Sequence, residues 1–279
     1  MSVIALTSAK GSPGVTTTAL ALAWAWPQVA PGRRVLVVDA DMAGGDLAPG
    51  YLRGAVSSTD GVLGVAAARP ADLGAGLWDH LIAVDESANN LLLTGISDPA
   101  QSRSLSGVWP ALAEVFTDPD GELAGVDVLV DLGRVGTAHE AAALRARADL
   151  VLLVLRSSLR ASAAARAAGR RLVEERAALP GGTESLGCVV IGEGQPYGAG
   201  EIAAAVGLPV RARMAWDAAS AAVLSDGDAA SWRFARSALM RSATACATDL
   251  LAHAAARASA VPAVPAPVVT ANHRAGATP

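Results

Sequence analysis

The sequence predicts an α/β protein, a doubly wound and mostly parallel sheet with helices on both faces. Three observations carry that expectation. Short runs rich in Val, Leu and Ile alternate with Ala-rich runs of helical length, the pattern of successive βα units. The runs at 150–155 and 186–191 are apolar almost throughout, as strands covered on both faces are. Two other runs close on a carboxylate, at Asp39 and Asp131, as strand ends that line a ligand crevice do.

The elements follow in order. Val3–Thr7 reads as the first strand, and Thr16–Trp26 as a helix stopped by Pro27. Val35–Asp39, Leu91–Thr94 and Val126–Asp131 read as further strands, as do Leu150–Leu155, Leu186–Ile191 and Val210–Trp216. Helices fit Ser104–Phe116, Ala138–Ala148, Leu159–Ala178 and Gly200–Val206. From Ser231 to Arg257 a long helix places Trp232, Leu239, Ala243, Cys246 and Leu250 on one stripe. The Pro/Ala-rich remainder has no helical pattern, so one domain over 1–257 and a disordered tail over 258–279 are expected.

Composition agrees with a folded, soluble chain. Of 279 residues 52% are hydrophobic and 17% charged, with mean hydropathy +0.37, which is too apolar for a disordered protein. Aromatics make up only 4%, so Ala, Val and Leu must fill the core. No stretch reaches the roughly 18 apolar residues of a membrane span, and the N-terminus lacks the basic region of a signal peptide. Cys188 and Cys246 sit in apolar runs and read as small hydrophobes in a reducing, cytoplasmic setting. His80, His139, His253 and His273 show no ligand spacing. The net charge of −4 argues against a generally basic nucleic-acid binder. Of the 22 basic residues only one is a lysine, Lys10.

That lysine opens the segment Lys10-Gly11-Ser12-Pro13-Gly14-Val15-Thr16-Thr17, between the first strand and the first helix. A strand, a Gly-containing turn and a helix N-terminus aim several backbone N–H groups at one point, which suits phosphate. Thr16 in the first helical turn is placed to ligate Mg²⁺. Asp39, Asp41 and Asp131, at the ends of parallel strands, project into the same crevice.

These segments resemble the MinD/ParA superfamily of P-loop ATPases. K-G-S-P-G-V-T-T looks like its deviant Walker A box, V-V-D-A-D its second-strand motif and V-L-V-D-L-G its Walker B. Pro209–Gly227 is similar to the segment near the adenine pocket, which carries Trp216 and Asp217 into the candidate site. The variant loop looks most like divergent actinobacterial or CpaE/TadZ-like members. The resemblance implies ATP and Mg²⁺ as cofactors, with residues 10–17 around the phosphates and Thr16, Asp39 and Asp131 around the metal. It implies that Asp41 orients the hydrolytic water and that Lys10 reaches the partner's phosphates in a nucleotide-bound homodimer. Two departures stand out. Val15 replaces the phosphate-binding lysine, with no Lys or Arg nearby in sequence to take its place, and Gly192-Glu193-Gly194 stands where many members carry a base-reading Asn.

Three functions follow from the resemblance. One is an ATP-dependent dimerising switch with weak hydrolysis that positions cargo such as DNA, pilus, secretion or division machinery through an adaptor, at a cell pole, septum or nucleoid. Another is an inactive pseudo-ATPase scaffold. The third is a nonspecific DNA-binding partition protein using Arg156, Arg160, Arg166, Arg170, Arg171 and Arg176. The Ala-rich C-terminal helix suits internal packing, so no membrane insertion is expected.

Overall fold

The computed structural model describes residues 1–11, 13–57, 60–67, 73–136, 141–179 and 182–260. Among these, eight strands form one sheet: β1 (Val3–Ser8), β2 (Arg34–Asp39), β3 (Ile82–Ala83), β4 (Asn90–Leu93), β5 (Val126–Arg134), β6 (Leu150–Arg156), β7 (Leu186–Ile191) and β8 (Val210–Met214). Their order is β3-β4-β2-β5-β1-β6-β7-β8. Every neighbouring pair is parallel except the short β3–β4 edge.

Side-chain alternation divides the interior in two. Ile4, Leu6, Val35, Val37, Leu129, Leu152 and Val189 face one layer, made of α1 (Val15–Val29), α8 (Ala218–Ser225) and α9 (Ala238–Ala260). Val3, Ala5, Leu36, Val38, Val128, Leu153 and Val190 face the other. That layer comprises α2 (Gly61–Ala67), α3 (Leu73–Leu77), α4 (Val108–Thr117), α5 (Ala142–Arg147), α6 (Leu159–Arg176) and α7 (Ala199–Val206). With both faces covered, apolar residues stand at odd and even positions alike, which is why these strands read as continuous apolar runs. Each buried Leu or Val contributes about 1.5–3 kcal/mol relative to exposure.

Local corrections have identifiable causes. α1 runs past Pro27 to Val29. A proline so near the C-terminus removes one intrahelical bond, and the Ala30 amide still closes on the Trp26 carbonyl at 2.8 Å. The last helix begins at Ala238, not Ser231. The Ser237 hydroxyl accepts from the Met240 amide at 3.1 Å, an N-cap that sets the start. Trp232 therefore leaves the stripe and stands 78% exposed, whereas Leu239, Ala243, Cys246 and Leu250 are buried. Pro99–Leu105 forms a 3₁₀ segment, so α4 begins at Val108 and not Ser104. α5 starts at Ala142, and residues 138–140 of the expected helix lie outside the described residues. The last helix continues to Ala260, past the expected end at 257; residues 261–279 of the expected tail lie outside the described residues.

Candidate nucleotide-binding cleft

A cleft of about 430 Å³ opens at the C-terminal ends of β1, β5, β6, β7 and β8. It is lined by Gly11, Pro13, Gly14, Val15, Thr16 and Thr17 of the loop, by Asp41 and Asp131, and by Trp216 and Asp217. The structure thus brings together most of the residues singled out from the sequence. Lys10 is exposed beside this group and not among the lining residues, Asp39 lies buried behind it, and Ser12 is outside the described residues.

The loop reaches its helix through Gly14, whose φ of 101° favours glycine and whose added Cβ would stand 3.3 Å from Ile191. α1 has neither a side-chain cap nor an acidic residue in its first turn. Its leading N–H groups and the positive end of its dipole therefore face the cleft with no cap or acidic side chain from the helix itself.

Across from them lies a carboxylate cluster. Asp39 and Asp131 are register neighbours on β2 and β5, and each is 1% exposed. Asp131 accepts the Thr16 hydroxyl at 2.5 Å and the Gly133 amide at 2.8 Å. Asp39 accepts the amides of Asp41 and Leu47 at 3.2 and 3.3 Å. Among the described residues, no basic side chain lies within ion-pair distance of either. Burial pushes the Asp131 carboxyl up to about 6, against the Thr16 and Gly133 hydrogen bonds. Burial, and then the Asp131 charge, holds Asp39 well above the ordinary carboxylate range. Asp41 is also raised, chiefly by burial.

Glycines make room for this cluster. A Cβ on Gly45 would fall 2.0 Å from the Asp39 carboxylate, one on Gly95 2.6 Å from its carbonyl oxygen, and one on Gly133 2.1 Å from the Asp41 carboxyl. Gly45 and Gly133 lie in segments with a visible sequence signal, one Gly-rich and the other a strand closing on Asp; Gly95 had none.

The residues carried over for the base behave differently from one another. Trp216 is 46% exposed on the cleft wall, with the Arg156 guanidinium over its ring. Asp217 caps α8: burial opposes its ionisation, but the Ser220 hydroxyl and amide and the Leu239 amide hold it below the usual range. Glu193, where a base-reading Asn was sought, pairs with Arg213 at 2.8 Å and accepts the Ala199 amide. Arg134 was missed from the sequence and Arg156 was read only as part of an Arg run for DNA; both line the cleft although neither is near Val15 in the chain.

The Arg run between 156 and 176 is divided by its environment. Arg176 is buried and donates to the carbonyls of Ala146 and Ala148, each at 2.7 Å. Arg171 pairs with Glu175, and Arg156 lies over Trp216. Arg160, Arg166 and Arg170 remain on the exposed side of α6. Cys188 and Cys246 are buried thiols pushed up to about 12 by burial. No metal-holding group of His, Cys, Asp and Glu occurs, and no helix is long and apolar enough to cross a membrane, among the described residues.

A parallel sheet with a helix-opening loop and acidic strand ends at one crevice defines an architecture shared with MinD- and ParA-type ATPases. The chain is similar to a ParA family ATPase from Chlorobium tepidum TLS, at TM-score 0.65 and 18% identity over 88% of this chain and 98% of that one. It is similar to the septum site-determining protein MinD complexed with Mg-ADP from Pyrococcus horikoshii OT3, at TM-score 0.64 and 18% identity, covering 92% and 98%. The cell division ATPase MinD of Pyrococcus furiosus matches at TM-score 0.65 and 20% identity, covering 90% and 98%. At these identities the likeness establishes the fold. No protein-family model matches the sequence, and no curated protein does.

Proposed function

We propose that the cleft binds ATP with Mg²⁺ and that the chain is a nucleotide-dependent dimerising switch that positions or segregates cellular cargo, with slow hydrolysis. The observation that carries this is the contact of Thr16, in the uncapped first turn of α1, with a buried Asp131 that no basic side chain among the described residues pairs with. Buried carboxylates without a cation are costly, and a divalent ion would offset that cost. The donor set fits: a hydroxyl and carboxylate oxygens are the hard ligands that Mg²⁺ takes.

In this reading Thr16 and Asp131, with Asp39 behind them, hold the ion, partly through water. The amides of Gly14 to Thr17 bind the phosphates, and the arm around Trp216 and Asp217 receives the nucleoside. When bound, Mg²⁺ neutralises phosphate charge. Asp41 is half-buried with a raised carboxyl, suited to accept a hydrogen bond from water and orient it. Lys10, exposed at the head of the loop, is free of the cleft wall and available to a second copy. Similarity to the complex of MinC with MinD from Aquifex aeolicus supports an adaptor as partner.

Val15 favours a catalytically inactive pseudo-ATPase scaffold as the second reading. It is 6% exposed and belongs to the apolar core with Ile4, Leu6 and Ile191, so it offers no charge to the transition state. Calorimetry with ATP and Mg²⁺ tests the first reading, and absence of binding at millimolar nucleotide overturns it. Turnover that is robust and lost in Asp41→Asn excludes the second.

A further inference from the structure

The cleft needs a formal positive charge that its loop does not provide. The start of α1 offers N–H groups and a partial dipole charge only, while Asp41, Asp46 and Asp131 make the metal side acidic. Two guanidinium groups line the same cleft, from the ends of β5 and β6. They are not equivalent. Arg134 stands close enough to Asp41 for its charge to favour that carboxylate. The Arg156 guanidinium lies 4.0 Å from the centre of the Trp216 ring. Among the described residues, no carboxylate is within ion-pair distance of it. An aromatic face orients a guanidinium without neutralising it, and its N–H fork stays able to take phosphate oxygens bidentately.

We propose that Arg156, positioned by Trp216, is the phosphate-binding cation of this cleft, delivered from the end of β6 where the loop carries Val15. The proposal rests on the nucleotide reading above and deepens it: the ligand class is a nucleoside di- or triphosphate, discriminated from a monophosphate by Arg156. Trp216 is a positioning residue, because it acts on phosphate only through the guanidinium. Val15 packs against the core and gives the cleft an apolar wall, so the charge comes instead from the neighbouring strand β6.

The test is calorimetric titration of the full chain with Mg²⁺ and ATP, ADP or AMP, for wild type, Arg156→Ala, Arg134→Ala and Trp216→Leu. Arg156 is exposed, so its replacement leaves the core intact. The expected result is that Arg156→Ala weakens ATP and ADP by about 10- to 100-fold, the range of a hydrogen bond to a charged group, and leaves AMP unchanged. Trp216→Leu, which also touches the nucleoside arm common to all three nucleotides, is expected to weaken ATP and ADP more than AMP, and by a smaller factor than Arg156→Ala. Equal ATP affinity in Arg156→Ala and wild type overturns the proposal and leaves the nucleotide reading standing. So does an equal loss for AMP, or a loss confined to Arg134→Ala. Failure of the wild type to bind any of the three nucleotides overturns the nucleotide reading and this proposal with it.

Discussion

The two ends of β5 carry the same residue type on the same face of the sheet, and their fates are opposite. Asp127 and Asp131 are four residues apart, both point toward α1, and both are at most 1% exposed. At the first end the structure closes on the charge. Asp127 accepts the Trp26 indole N–H and the Ser2 amide, each at 2.8 Å, and pairs with Arg33. At the other end Asp131 receives one hydroxyl and one amide, and its neighbour across the sheet is another buried carboxylate, Asp39. One helix spans both, since the ten residues from Thr16 to Trp26 rise about 15 Å and four strand residues cover about 13 Å. Burial raises the carboxyl at both places. What differs is the supply of cations and donors. At the closed end groups of the chain itself partner the buried charge, whereas the open end leaves an electrostatic cost that a ligand can relieve.

Breaking the closed end should have the largest effect. Asp127→Ala leaves the Trp26 N–H buried without an acceptor and Arg33 without its partner. A loss of about 2–4 kcal/mol is expected, discounted for the partial exposure of Arg33, read as a lower urea midpoint with unchanged slope. Nucleotide affinity should be unaltered.

The open end should respond with the opposite sign. Asp131→Asn removes a buried charge, keeps an amide oxygen for the Gly133 N–H and can donate its NH2 to the Thr16 hydroxyl, so the nucleotide-free protein should gain about 1–2 kcal/mol at neutral pH. The same variant should lose Mg²⁺-dependent nucleotide binding. The pH dependence follows from the sign of the shift. A carboxyl raised to about 6 in the folded state, above its unfolded value near 3.8, favours folding below the lower value. That contribution disappears as pH rises through 6. Urea midpoints of the nucleotide-free wild type should therefore fall from pH 5 to pH 7.5, and Asp131→Asn should flatten the fall.

Two smaller effects sharpen the contrast. Trp26→Phe keeps the ring and deletes one donor to Asp127, with an expected loss of about 1 kcal/mol in denaturant unfolding. Thr16→Ala deletes the matching donor to Asp131. Its cost to the nucleotide-free fold should stay within about 0.5 kcal/mol, while calorimetry should show the loss of Mg²⁺-assisted nucleotide binding. A Thr16→Ala loss as large as that of Trp26→Phe, with binding retained, would make both ends of β5 structural.

Much of the open end was legible from the chain. Asp39, Asp41 and Asp131 close apolar runs, and parallel strands deliver their C-terminal residues to one edge, so strand assignment alone placed the three carboxylates together. The Gly-containing loop before α1 was legible for the same reason. Asp127 was not. It sits within a strand pattern, and nothing local in the sequence marks the indole, amide and guanidinium that converge on it from residues 26, 2 and 33. Pro27 and Ser231 misled because each is a local signal overruled by packing: the buried Trp26 secures the last turn of α1, and Ser237 caps α9 with Phe234 buried ahead of it.

By itself the sequence determined the alternation of strands and helices, the burial of both sheet faces and the carboxylate-ended strands at the loop. These depend on period and on residues close in the chain. Tertiary structure alone decided which aspartate is neutralised and which is left exposed to a ligand. It also decided which arginines of the 156–176 run are committed to packing or ion pairs, and that Arg156 meets Trp216 in the cleft that Val15 also lines. Those outcomes depend on residues far apart in the chain, and electrostatic cost is set by what stands within a few ångströms after folding.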